Sequence, residues 1–139
     1  MSCFRSVQEF REVMDRTFTL MRDDPDMGPQ LRDADTPQRF EFPDFDLVVN
    51  IRAGGGDEPN LAWEWSDEVT WEPKVRMTMS SDTANRYFQG KENVAIAIAR
   101  RRIKAGGDVK AALAIIPLTK PLFAHYRDMI AADYPHLEV

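Results

Sequence analysis

The chain has 139 residues, 43% hydrophobic and 29% charged, proportions that exclude a disordered segment or a coiled coil. Its net charge of -5 and sequence pI near 5.0 make the whole-molecule field repel phosphate backbones, so nucleic acid is not an expected partner. One cysteine, Cys3, excludes an intramolecular disulfide and a thiolate metal cluster and fits a reducing cytoplasm.

Residues 1–37 read as a helical lead-in. Ser6-Val7-Gln8-Glu9 is a capping box, in which serine hydroxyl and glutamate carboxylate satisfy the first free amides of a helix. Val7, Phe10, Met14, Phe18 and Met21 then form one apolar stripe, and Asp23-Asp24-Pro25 ends it. Glu9, Glu12 and Asp15 interrupt this stretch, which is unlike the uncharged core of a signal peptide. No apolar run reaches the ~18–20 residues a bilayer span needs, so neither leader nor anchor is expected. Pro25, Gly28, Pro29 and Pro37 mark a connector with one helical turn around Gln30–Asp33.

From Phe40 the period becomes two. Phe40 and Phe42, then Phe45, Leu47, Val49 and Ile51, read as two strands in a hairpin. Gly54-Gly55-Gly56-Asp57 is a turn, Leu61, Trp63 and Trp65 alternate along a third strand, and Val75, Met77 and Met79 along a fourth after Glu72-Pro73. The pattern is that of an antiparallel sheet with one wet face. Ser80 or Ser81 caps a helix to Gln89, Gly90 breaks it, and Asn93 caps a shorter one to Arg100. Arg102 to Ala105 reads as a fifth strand. Asp108 caps a helix with Val109, Ala112, Leu113 and Ile116 on one face, ended by Pro117, and Thr119 opens a last helix carrying Leu122, Phe123, Tyr126, Met129 and Ile130. Residues 38–133 thus hold sheet and helices within one domain of 1–139, and 134–139 form a tail.

No catalytic constellation stands out. The glycine turn lacks the spacing and lysine of a phosphate-binding loop. His125 and His136 lie too far apart in sequence for a paired zinc motif, so no metal is expected. No GxSxG elbow exists, Cys3 is badly placed for a nucleophile, and Asp67-Glu68 beside the tryptophans reads as a strand-end turn rather than a glycosidase pair.

The order of elements and several words resemble the sterol carrier protein type 2 (sterol-binding) domain in its bacterial stand-alone form. They are Val75-Arg76-Met77-Thr78-Met79-Ser80, Phe88-Gln89-Gly90-Lys91, Ala97 to Ala99, Arg102-Ile103-Lys104 with Gly107-Asp108, and Pro117-Leu118-Thr119-Lys120-Pro121-Leu122-Phe123. Arg101 departs from the pattern, standing where that family usually has a glycine. The resemblance implies an α+β fold, a five-stranded, largely antiparallel sheet with helices packed on one face around an apolar tunnel. It also implies a cytoplasmic, non-catalytic, cofactor-free protein that binds and transfers a sterol, fatty acid or acyl chain, or else a dimerisation module with a filled core that supports an enzyme. Met77, Met79, Phe88, Val94, Ile98, Leu113, Ile116, Leu122 and Phe123 are the expected tunnel lining. Arg100, Arg101, Arg102 and Lys104 either protect a sheet edge or touch anionic membrane.

Overall fold

The computed structural model describes residues 2–139. Helix α1 spans Val7–Asp23, and Ser6 Oγ caps it by accepting from the Glu9 amide. Glu9 reaches back one residue further than a capping box requires, accepting from the Arg5 amide. Helix α2 spans Met27–Ala34, longer than the single turn its prolines suggest. Pro29 falls in the first turn, where a missing N–H is no loss.

The strands are β1 (Gln38–Phe42), β2 (Leu47–Ala53), β3 (Leu61–Trp65), β4 (Val75–Met79) and β5 (Ile103–Gly107). Phe45 lies in the turn before β2 rather than in the strand, where Asp46 takes a left-handed conformation (φ 53°). The sheet order is β3-β2-β1-β4-β5, and every neighbouring pair is antiparallel except β1 with β4. The fourth strand therefore does not extend the meander. Residues 66–74 cross the face opposite the helices, where the Arg39 guanidinium and the Asn50 amide donate to the carbonyls of Asp67 and Ser66.

Four further helices complete the second layer: α3 (Ser81–Phe88), α4 (Val94–Ala99), α5 (Val109–Thr119) and α6 (Leu122–Asp133). Ser80, Asn93 and Asp108 cap α3, α4 and α5, as their side-chain chemistry dictates. Gly90 (φ 76°) turns the chain out of α3. Helix α5 runs through Pro117 to Thr119 instead of ending at the proline. The carbonyl that Pro117 leaves without its helical partner belongs to Leu113, whose side chain lies on the same exposed face. Thr119 thus closes α5, its hydroxyl donating to the Ile116 carbonyl, and Pro121 precedes α6.

The period-two alternation turns Phe40, Val49, Ile51, Val75, Met77, Met79 and Ile103 toward the helices and sends Arg39, Glu41, Arg52, Arg76 and Lys104 to the other face. Helix α1 is bound to β3 by Asp15, whose Oδ1 accepts from the indole N–H of Trp63 (3.0 Å) and of Trp65 (2.7 Å). The N-terminal segment is held against α3 at Cys3. The Cys3 amide donates to Asp82, and Phe4 next to it is buried edge-on against Phe10. No helix is long and apolar enough to cross a membrane among the described residues.

Candidate apolar cavity between sheet and helices

The central cavity, ≈ 70 Å³, lies between the inner sheet face and the helices. Phe40, Ile51, Leu61, Val75, Met77, Met79 and Ile103 form its floor. Its walls are Phe18 and Met21 of α1, Leu31 of α2, Tyr87 and Phe88 of α3, Val94 of α4, and Ala112, Ile115, Ile116 and Thr119 of α5. Gln38 completes the lining among the described residues. Among the described residues, no carboxylate, amine, guanidinium, imidazole or thiol reaches this space. Apolar contact is thus the main interaction the lining offers, with the Tyr87 phenol, the Thr119 hydroxyl and Gln38 as its polar atoms.

Of the nine expected lining residues, the structure brings Met77, Met79, Phe88, Val94 and Ile116 to the cavity. Leu113 and Phe123 instead line a separate groove on the outer surface, and Leu113 is 49% exposed. Leu122 is fully buried in α6, and Ile98 is half-buried on α4 beside the inward Val94 and Ala97. Helix α5 is apolar around its whole circumference, so its stripe does not single out the inner face, which proves to be Ala112, Ile115 and Thr119. Helix α6 spends its apolar face, Leu122, Tyr126, Met129 and Ile130, on core packing away from the cavity. Phe18, Met21, Ile51 and Leu61 carry a clear inward signal in the sequence, whereas Leu31 falls in the stretch read as a connector, and periodicity marks a core-facing side and not a void.

The two long walls are braced differently. Helix α3 is tied to the tail by a buried network: Tyr126 donates to Asn85 Oδ1 (2.7 Å), and the amides of Asn85 and Gln89 both donate to the Leu137 carbonyl (2.8 Å each). At the cavity, α5 is joined to α3 by one hydrogen bond, between Tyr87 Oη and Thr119 Oγ1 (3.0 Å). Burial pushes the Tyr87 phenol above its ordinary range, which keeps this contact neutral.

The remaining chemistry-bearing residues stay apart from the cavity. His136 Nε2 sits 2.8 Å from Glu9, and His125 4.0 Å from Asp24. Among the described residues, no group of three or more His, Cys, Asp or Glu side chains could hold a metal ion. Asp67 and Glu68 occupy an exposed turn closed by Ser66. In the cationic run, Arg102 is committed to Glu92 (2.6 Å), leaving Arg100, Arg101 and Lys104 exposed. Arg101 sits at φ 61°, a left-handed position that explains why a glycine suits this site.

No family model matches the chain, and no curated protein matches it. Solved structures do. The fold is similar to UbiJ-SCP2, a ubiquinone synthesis protein, with a TM-score of 0.61 at 10% identity over 81% of this chain and 89% of that one. It is similar to the sterol carrier protein domain 2 of Helicoverpa armigera, with a TM-score of 0.58 at 17% identity over 83% and 87%. The stereoselective inverting sec-alkylsulfatase Pisa1 from Pseudomonas sp. matches with a TM-score of 0.62 at 18% identity over 76% of this chain, which spans 16% of the sulfatase. The chain has the α+β fold of the sterol carrier protein 2 domain.

Proposed function

We propose that residues 1–139 act as one domain that binds an apolar, lipid-like molecule between sheet and helices and carries out no chemistry on it. One observation supports this above the rest: the cavity joins side chains from ten of the elements and, among the described residues, is lined by no carboxylate, amine, guanidinium, imidazole or thiol, its only hydroxyls, Tyr87 and Thr119, being hydrogen-bonded to each other. Burying an alkyl chain there is favourable by ~0.8 kcal/mol per methylene without polar specificity. A void of ≈ 70 Å³ is less than half the ~150 Å³ of a cavity that takes benzene, so a sterol or long acyl chain requires the cavity walls to move apart. The sterol carrier domain and the ubiquinone synthesis protein among the structural neighbours point to ligands of this apolar class.

The small void also favours a second reading, a module with a filled core that supports an enzyme, as the match to part of a much larger sulfatase suggests. Organic extraction of the purified protein followed by mass spectrometry separates the two. A stoichiometric lipid supports binding. No lipid, together with no saturable uptake of a fluorescent fatty acid, leaves the filled-core module.

For delivery we propose contact with anionic membrane through Arg100, Arg101 and Lys104, next to Ile96, which lies four residues before Arg100 on α4 and is 47% exposed. Arg100→Glu with Arg101→Glu then slows transfer from anionic vesicles, most at low salt, and spares transfer from neutral ones. Equal rates on both vesicle types reduce these cations to edge protection.

A further inference from the structure

The outer groove runs between α3, α4, α5 and α6, with Ala95, Leu113, Pro117 and Phe123 as its apolar lining and Lys91 and Lys120 among its residues. Tyr87, Val94 and Ile116 line both this groove and the internal cavity, so the wall between the two is a single layer of side chains. The Tyr87–Thr119 hydrogen bond spans that wall. Its direction follows from its surroundings. The Thr119 hydroxyl spends its proton on the Ile116 carbonyl (3.0 Å), so the Tyr87 phenol donates and Thr119 Oγ1 accepts.

The groove is also electrically biased. Its one carboxylate, Glu92, sits between Arg86 (3.2 Å) and Arg102 (2.6 Å), whereas Lys91 and Lys120 have no ion-pair partner among the described residues. Lys120 follows Leu113 by seven residues, two helical turns along the same exposed face of α5.

We propose that this groove is the portal through which a fatty carboxylate reaches the cavity: Val94 and Ile116 are the gate, the Tyr87–Thr119 bond is its latch, and Lys91 and Lys120 hold the carboxylate outside. The inference rests on the lipid-binding reading above. The hydrocarbon chain follows the apolar lining inward, and the headgroup remains in water beside the two ammonium groups, since burying its charge in a cavity without cations is prohibitive.

The test is stopped-flow and equilibrium titration of the full chain with a fluorescent fatty acid, and with the fatty alcohol of equal length as a neutral competitor. Tyr87→Phe and Thr119→Val remove the latch while nearly conserving volume, and each raises both association and dissociation rates about three- to tenfold with little change in affinity. Thr119→Ser keeps the hydroxyl and retains the parent rates. Ile116→Trp obstructs the gate and slows uptake, with thermal melts confirming that the variant is folded. Lys91→Glu with Lys120→Glu weakens the acid and not the alcohol, and the loss shrinks as salt rises. A parent chain that takes up the acid at rates indifferent to all these variants overturns the portal alone. A parent chain that binds no fatty acid overturns the lipid-binding reading and the portal with it.

Discussion

Ala112 is the smallest side chain in the cavity wall on α5, and its replacement by leucine puts new methyl groups into the void. At about 24 cal/mol per Å³, an empty volume of ≈ 70 Å³ corresponds to ~1.7 kcal/mol of packing that the ligand-free protein forgoes. A leucine filling most of that space without strain recovers ~1–1.5 kcal/mol, because imperfect rotamer fit returns part of the gain. Ala112→Leu is therefore expected to raise the urea midpoint of the lipid-free protein while abolishing fluorescent fatty acid uptake. Both measurements are made on delipidated protein, since bound lipid would stabilise the parent by mass action and mask the gain. Destabilisation by more than ~1 kcal/mol shows that no usable space exists beside Ala112. Unchanged fatty acid binding in a stabilised variant shows that the ligand lies elsewhere.

Three further outcomes follow from individual contacts. Asp15→Ala leaves the indole N–H groups of Trp63 and Trp65 without their shared acceptor and is expected to cost ~2 kcal/mol in urea unfolding, with a changed tryptophan emission spectrum; a loss below ~0.5 kcal/mol refutes the clamp. Arg101→Gly removes a side chain from a left-handed position and is expected to stabilise by about 0.5–1 kcal/mol, which an unchanged or lowered melting temperature contradicts. The Glu58 carboxyl is held at about 2, first by its hydrogen bond from Arg52 and then by the Gly55 amide. Because the folded-state value is depressed, this contribution is present above the ordinary carboxylate range and is lost only as pH falls toward about 2. Carbon-detected NMR titration reads it directly, and Arg52→Gln is expected to return Glu58 toward ordinary values.

The sheet was legible in the sequence because alternation assigns every strand residue to one of two faces, and Phe40, Ile51, Met77 and Ile103 fall where the pattern puts them. The position of β4 was not. Val75 to Met79 alternates equally well beside β3 or beside β1, and only the passage of residues 66–74 across the wet face decides between them. The same asymmetry holds at the cavity. Helix caps at Ser80, Asn93 and Asp108 are local chemistry and could be read directly, whereas α5 is apolar on all sides, so choosing Leu113 over Ile115 as its inner residue was a choice without a signal. Tyr87 and Thr119 were invisible as a pair because thirty-two residues separate them and no pattern links them.

Methionine methyl groups offer the most direct test of where the ligand sits. Met21, Met77 and Met79 line the cavity, while Met14, Met27 and Met129 are buried outside it. In protein labelled with ¹³C at the methionine methyls and saturated with a fatty acid, isotope-filtered NOEs between acyl methylenes and methyls are expected for Met21, Met77 and Met79. None is expected for Met14, Met27 or Met129. Binding without acyl contacts to Met77 and Met79, or contacts confined to the outer groove, would contradict an apolar ligand held between sheet and helices.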